Sequence, residues 1–269
     1  MERPSWAPEG IDLDRPSAAR VYDYFLGGAH NFAVDRGLAE MIAGMTPNIG
    51  DTMRANRSFL RRAVRFMLAE GIDQFLDLGS GIPTVGNVHE VVRQANPEGR
   101  VVYVDVDPIA VSHSRAILDD DEHTVAIQAD VREWDRILEA PETLRLLDLT
   151  RPVGVLLLGV LHFVPDADDP AGIVARIRDV IAPGSYVALV NATDADQPPE
   201  VIEAQKLSSR TGTPIFLRSR EALAAQHAGL TPVEPGLVHL PLWRPDSPVD
   251  VDDHPERFGA LGVVARKDS

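Results

Sequence analysis

The sequence predicts an α/β fold: a mostly parallel β-sheet with helices on both faces, preceded by a group of N-terminal helices. Three observations carry this reading. Five short apolar runs follow one another at Gln74–Leu78, Val101–Val104, Val125–Gln128, Val153–Leu158 and Tyr186–Val190. Helical patterns separate them, as in Val85–Gln94, Ile109–Leu118 and Ala171–Ile181, which is the rhythm of βαβ units. The rhythm then breaks. Glu221–Ala228 reads as a helix ended by Gly229, and the runs Val233–Leu242 and Leu261–Ala265 follow with only the polar loop Arg244–Arg257 between them. Two such runs form an antiparallel ribbon at one side of a sheet.

The first third reads as helical. Pro16 and Ser17 open an apolar-periodic run through Val21, Phe25 and Leu26, and Gly27-Gly28 closes it. A second helix starts near Asp35 and fades at Gly44. A third is capped by Asp51, buries Phe59, Leu60, Ala63, Val64 and Met67, and ends at Gly71. These boundaries divide the chain into a helical cap or lid, residues 1–71, and a sheet-based core, residues 72–269. Tyr22, Tyr24, Phe25, Phe32 and Phe59 near the paired glycines suit a packed lid with a hinge, or else an extra layer of core.

A chain of 269 residues with 44% apolar content suits one large α/β domain with an appendage. The absence of cysteine excludes disulfides, thiolate metal ligands and a cysteine nucleophile, and no metal site is expected. No apolar run reaches the roughly 18 residues of a membrane span. Met1 to Gly10 lacks the basic start and apolar stretch of a signal peptide, so the expected location is cytoplasmic. The net charge of −15 opposes binding to nucleic acid. One basic cluster, Arg54, Arg57, Arg61, Arg62 and Arg65, reads as a solvated helix face, or as a face from which an arginine reaches a carboxylate.

Candidate chemistry lies at successive strand ends. Asp77-Leu78-Gly79-Ser80-Gly81-Ile82-Pro83-Thr84 follows the first strand and precedes a helix. Its glycines permit a sharp turn and close approach of a ligand, although a tight turn alone explains them equally. Asp105 ends the second run, where an acid accepts hydrogen bonds from both hydroxyls of a ribose; it lies somewhat beyond the roughly 20-residue spacing usual after such glycines. Asp107 is the alternative for that role, or caps the helix that begins at Pro108. Asp130, in Gln128-Ala129-Asp130-Val131, either accepts from an adenine amino group or caps a helix over Val131–Leu138.

In order and spacing these three sites resemble the class I S-adenosylmethionine-dependent methyltransferases across residues 72–192. The resemblance implies a Rossmann-like core with a seven-stranded, mostly parallel sheet and an antiparallel last strand. It implies S-adenosyl-L-methionine as cofactor, held by Asp77, Gly79, Ser80 and Gly81, by Asp105 and Val106, and by Asp130 and Val131. Leu156-Leu157-Leu158-Gly159-Val160-Leu161-His162 looks like the exit of the fourth strand, which puts Gly159 at the cofactor's reactive end. The segments Ala19–Phe32 and Ala55–Val64 are similar to an actinobacterial S-adenosyl methyltransferase family, a likeness that spans nearly the whole chain.

Methyl transfer from a sulfonium is an in-line displacement for which the protein supplies alignment. His162 is the candidate general base, with a packed structural histidine as the alternative. Tyr22, Tyr24 and His30 are further candidates on the lid. Arg57 is expected to point inward and bind the carboxylate of the cofactor's amino-acid end, because no cation lies within Asp77–Thr84. The expected acceptor is a small molecule. Two other readings stand beside this one. A nicotinamide-dependent oxidoreductase shares the sheet, but Pro83 stands close to where its third glycine would be. A cofactor-binding module without catalysis shares the glycine and acid pattern.

Overall fold

The computed structural model describes residues 13–46, 48–83, 86–118, 121–199, 202–203 and 214–268. Thr84 of the glycine loop and Val85, the expected start of the next helix, lie outside the described residues. Three helices come first: α1 (Ala18–Phe25), α2 (Ala33–Met45) and α3 (Ile49–Ala69). Strands and helices then alternate through β1 (Gln74–Leu78), α4 (Val88–Ala95), β2 (Arg100–Asp105), α5 (Pro108–Ile117) and β3 (Thr124–Gln128). They continue with α6 (Trp134–Glu139), α7 (Pro141–Leu146), β4 (Gly154–Leu158), α8 (Pro170–Val180) and β5 (Tyr186–Ala192). Last come α9 (Arg220–Gln226), β6 (Thr231–Pro232), β7 (Val238–His239) and β8 (Ala260–Arg266).

The first five strands are parallel in the order β3-β2-β1-β4-β5, and β8 pairs antiparallel with β5 along its whole length, from Tyr186↔Arg266 to Ala192↔Ala260. All five residues of β1 are buried, so both faces of the sheet are covered. On one face Leu76, Leu78, Val155 and Leu157 pack with Ile137 of α6 and Ile173 and Ile177 of α8. On the other, Phe75, Val101 and Leu156 pack with Phe59, Ala63 and Met67 of α3 and with Val88 and Val92 of α4. α3 is thus a full member of the sheet's second helical layer.

Four local expectations need correcting. The sheet has eight strands among the described residues, because β6 and β7 are separate two-residue strands that each pair with β8. The run Val233–Leu242 is therefore no continuous ribbon partner; it ends in a short 3-10 turn, Leu240–Leu242. That turn is held by Arg62, whose guanidinium donates to the carbonyls of Leu240 (2.7 Å) and Trp243 (2.8 Å). Asp51 does not cap α3: the helix starts earlier, after Asn48, and Asp51 pairs with Arg54 at 2.5 Å. The helix expected over Val131–Leu138 begins only at Trp134. No helix among the described residues is long and apolar enough to cross a membrane.

α1 and α2 are tied by a buried ion pair. The Asp35 carboxylate, fully buried, accepts from Arg20 Nε (2.9 and 3.0 Å) and from the backbone amides of Phe32 (2.8 Å) and Ser17 (3.0 Å). Arg20 also lies over the Phe32 ring, 5.2 Å from its centroid. Removing one partner of such a pair leaves the other charged and dry. Asp35→Ala is expected to cost about 3–5 kcal/mol in urea denaturation, and Arg20→Met with Asp35→Leu to recover most of that loss.

Candidate active site

Strand order reverses between β1 and β4: from β1 the chain proceeds outward to β2 and β3, and from β4 the other way. Loops leaving the carboxyl ends of these two strands therefore diverge and open a crevice, the usual ligand position in such a sheet. After β1 the chain turns at Gly79 (φ +76°), where the amides of Gly79 and Ser80 both donate to the carbonyl of Val104, at 2.8 and 3.1 Å. A Cβ on Gly79 would stand 2.6 Å from Cγ2 of Val160 on the β4 exit, so glycine is required there by packing as well as by backbone angle. Gly81 (φ +67°) differs: among the described residues nothing lies within 4 Å of where its Cβ would be. The open space is thus at Gly81.

Asp105 and Asp107 divide the two roles considered for them. Asp105 is buried at the end of β2 and accepts from the Gly81 amide through Oδ2 (2.7 Å) and from the Asp107 amide through Oδ1 (2.8 Å). Each oxygen keeps a further lone pair for a ligand hydroxyl. Burial pushes its carboxyl up to about 6, against the pull of those backbone amides. Asp107 caps α5, accepting from the Ile109 amide at 2.7 Å, and also takes the Ser17 hydroxyl from the N-terminal segment. Val106 between them is 63% exposed, an apolar side chain left uncovered beside the crevice.

At the β3 exit, Asp130 is held by Arg132. The Arg132 backbone amide and Nε reach Oδ1, each at 2.9 Å, and Nη2 reaches Oδ2 at 2.6 Å. The same guanidinium pairs with Asp168, on the loop before α8. These hydrogen bonds keep the Asp130 carboxyl below its usual range. Val131 is buried beneath.

The β4 exit meets the N-terminal helices. A Cβ on Gly159 (φ +84°) would stand 3.5 Å from Cε1 of His162 and 3.6 Å from Nδ2 of Asn56. Asn56 donates to the Tyr22 hydroxyl (3.2 Å), which donates to the carbonyl of Met53 (3.2 Å). The next residue, Arg57, is buried while Arg54, Arg61 and Arg65 on the same helix are exposed. Arg57 lies over the Tyr22 ring, 5.6 Å from its centroid, and Nη1 donates to Asn87 Oδ1 at 3.2 Å. Its charge also acts on Asp77, whose carboxyl burial pushes up to about 7, while Arg57 pulls it back. His162 faces the Ala192 amide through Nδ1 at 3.4 Å, which places the ring proton on Nε2. Burial and the Arg218 guanidinium push its pKa down to about 4. The ring is therefore neutral and presents a donor.

Of the lid candidates, only Tyr22 converges on Asn56 and Arg57. Tyr24 packs edge-on against Phe25, at 5.9 Å between centroids. His30 stacks on His113 of α5 at 4.0 Å, and its amide donates to the buried Asp23. Of the Gly27-Gly28 pair, Gly28 is packed, since a Cβ there would overlap the Asp23 carboxylate, while Gly27 is exposed with φ +79°. Of the other contributors, the sequence marked Asn56 only as the neighbour of Arg57 within Ala55–Val64, and it did not mark Val160 or Arg218. Asn56 occupies a buried position in the α3 stripe, three and four residues before Phe59 and Leu60, and a polar residue at a core position was the available signal. Val160 and Arg218 gave none. Arg218, nearly buried, donates to the carbonyls of Leu161 (2.9 Å) and Val164 (2.6 Å) and so fixes the loop that carries His162.

A family model described as S-adenosyl methyltransferase matches residues 4–268. No curated protein matches the chain. Among solved structures, a candidate methyltransferase from Thermobifida fusca YX is 39% identical, with a TM-score of 0.92, covering 99% of this chain and 100% of that one. A DUF574 family protein from Streptomyces avermitilis MA-4680 is 37% identical, with a TM-score of 0.90, covering 95% of this chain and 99% of that one. The family match sets aside the nicotinamide-dependent and non-catalytic readings. This chain belongs to the S-adenosyl methyltransferase family and is an S-adenosylmethionine-dependent methyltransferase.

Proposed function

We propose that the chain methylates a small-molecule acceptor at the β4 exit, with the cofactor lying across the carboxyl ends of β1 to β4. The observation that carries the placement is the buried, inward-facing Arg57. Its Nε has no hydrogen-bond partner among the described residues, and a buried donor of this kind calls for an acceptor. The carboxylate of the cofactor's amino-acid end fits that demand by charge and by hydrogen-bonding capacity. Gly81 leaves room for the ligand, Asp105 offers its remaining lone pairs to the ribose hydroxyls, and Val106 offers apolar cover to the base. Asp130, oriented by Arg132, takes the adenine amino group. When bound, S-adenosylmethionine supplies a methyl group on a sulfonium, open to in-line attack.

At the reactive end, His162 holds its proton on Nε2 and acts as a donor that orients the acceptor. α1 covers the crevice through Tyr22 and through the contact of its N-cap residue Ser17 with Asp107. A covered site and a net charge of −15 favour a small acceptor over a polyanion.

Asp105→Ala is expected to weaken S-adenosylhomocysteine binding by about 2–3 kcal/mol in calorimetry. The pH dependence follows in sign. With a folded value near 6, above the ordinary carboxylate range, Asp105 stabilises the ligand-free fold at low pH and loses that contribution as pH rises through about 6. Ribose hydroxyls favour the ionised form, so affinity rises across the same window, and Asp105→Asn removes the rise. Arg57→Met is expected to cost about 1.5–3 kcal/mol of cofactor affinity, while the exposed Arg54→Met changes little. If instead Arg54→Met is the damaging change, the carboxylate lies elsewhere. Limited proteolysis tests the cover: S-adenosylhomocysteine protects bonds within residues 16–35, and equal cleavage with and without it refutes a lid.

A further inference from the structure

Asn56 stands where an apolar side chain is expected. It shares the buried stripe of α3 with Phe59, Leu60 and Ala63, yet carries a primary amide. The amide's orientation is fixed by its neighbour. Tyr22 gives its hydroxyl proton to the Met53 carbonyl, so its oxygen receives from Asn56, and Asn56 must present Nδ2 to it. Oδ1 is then turned away from Tyr22, and among the described residues it has no hydrogen-bond partner although it is buried. A buried carbonyl left unpaired costs free energy that an apolar residue at the same position would avoid. The amide head lies beside Gly159, at the β4 exit.

The next residue supplies the complementary group, for Arg57 Nε is an unpaired, buried donor. One orphaned acceptor and one orphaned cationic donor are thus carried by side chains that both lie against Tyr22. A zwitterionic α-amino acid has the matching pair: an ammonium that only donates and a carboxylate that only accepts. We propose that Asn56 Oδ1 receives the ammonium of the cofactor's amino-acid end, forming with Arg57 a two-residue receptor for the zwitterion. The inference rests on the reading that Arg57 takes the carboxylate.

Calorimetry with three ligands separates the two claims: S-adenosylhomocysteine, its analogue lacking the amino group, and its analogue lacking the carboxyl group. Asn56→Leu is expected to weaken S-adenosylhomocysteine on the order of tenfold and to leave the deaminated analogue within about twofold. Asn56→Asp keeps an acceptor oxygen and nearly the same shape. It is expected to retain S-adenosylhomocysteine and to weaken the deaminated analogue, which leaves the new charge unpaired. Melting curves report whether each variant is folded, and Asn56→Asp carries the test if Asn56→Leu is not. Equal weakening of all three ligands by Asn56→Leu, or an unchanged preference for the amino group in Asn56→Asp, overturns the role of Asn56. If removing the carboxyl group costs the wild-type protein nothing, the assignment of Arg57 fails first, independently of Asn56.

Discussion

Asp105 accepts one backbone amide from the glycine loop and one from the turn into α5, and so joins two chain reversals that leave neighbouring strands. A carboxylate taken out of water is costly, and it is retained here because both oxygens are occupied by amides that have no other role. The geometry of the crevice follows from this. Gly81 is held with its open side outward, Asp107 is left free to cap α5, and Val106 is turned to the surface. Were Asp105 replaced by an apolar residue, the loop amides would have to find water, and the turn would lose its fixed shape.

The opposite wall is set by packing. Val160 fills the space over Gly79, and Arg218 pins the following carbonyls, so the β4 exit is held from both sides. Within it His162 is neutral, because a dry environment and a nearby guanidinium both oppose its protonation. A second buried guanidinium, that of Arg57, acts on Asp77.

The parallel core was legible from sequence because its strands are buried on both faces and read as unbroken apolar runs; Gln74–Leu78 coincides with β1. The glycine loop and Asp105 were legible because strand-end chemistry follows a fixed order. What escaped depends on contacts between distant segments. Arg62 looked like surface charge, yet it is buried against the Leu240 and Trp243 carbonyls, far along the chain. Val233–Leu242 looked like a strand by hydropathy, but its hydrogen-bonding groups are taken by that arginine and by two residues' worth of pairing with β8. Asn56 fell inside a correctly read stripe, and only its unpaired oxygen marks it as more than packing.

Among the described residues, β8 is the sole partner of β5 on its outer edge and the common partner of β6 and β7. The parallel strands β1 to β5 are complete before it in the chain, so during folding the long apolar edge of β5 stays uncovered until a distant segment returns to it. An uncovered edge of this kind pairs readily with the same edge of another molecule, and late, non-local closure is intrinsically slow. The antiparallel final strand therefore acts on solubility during biogenesis: the interval between β5 and β8 is the period in which this protein is most exposed to self-association.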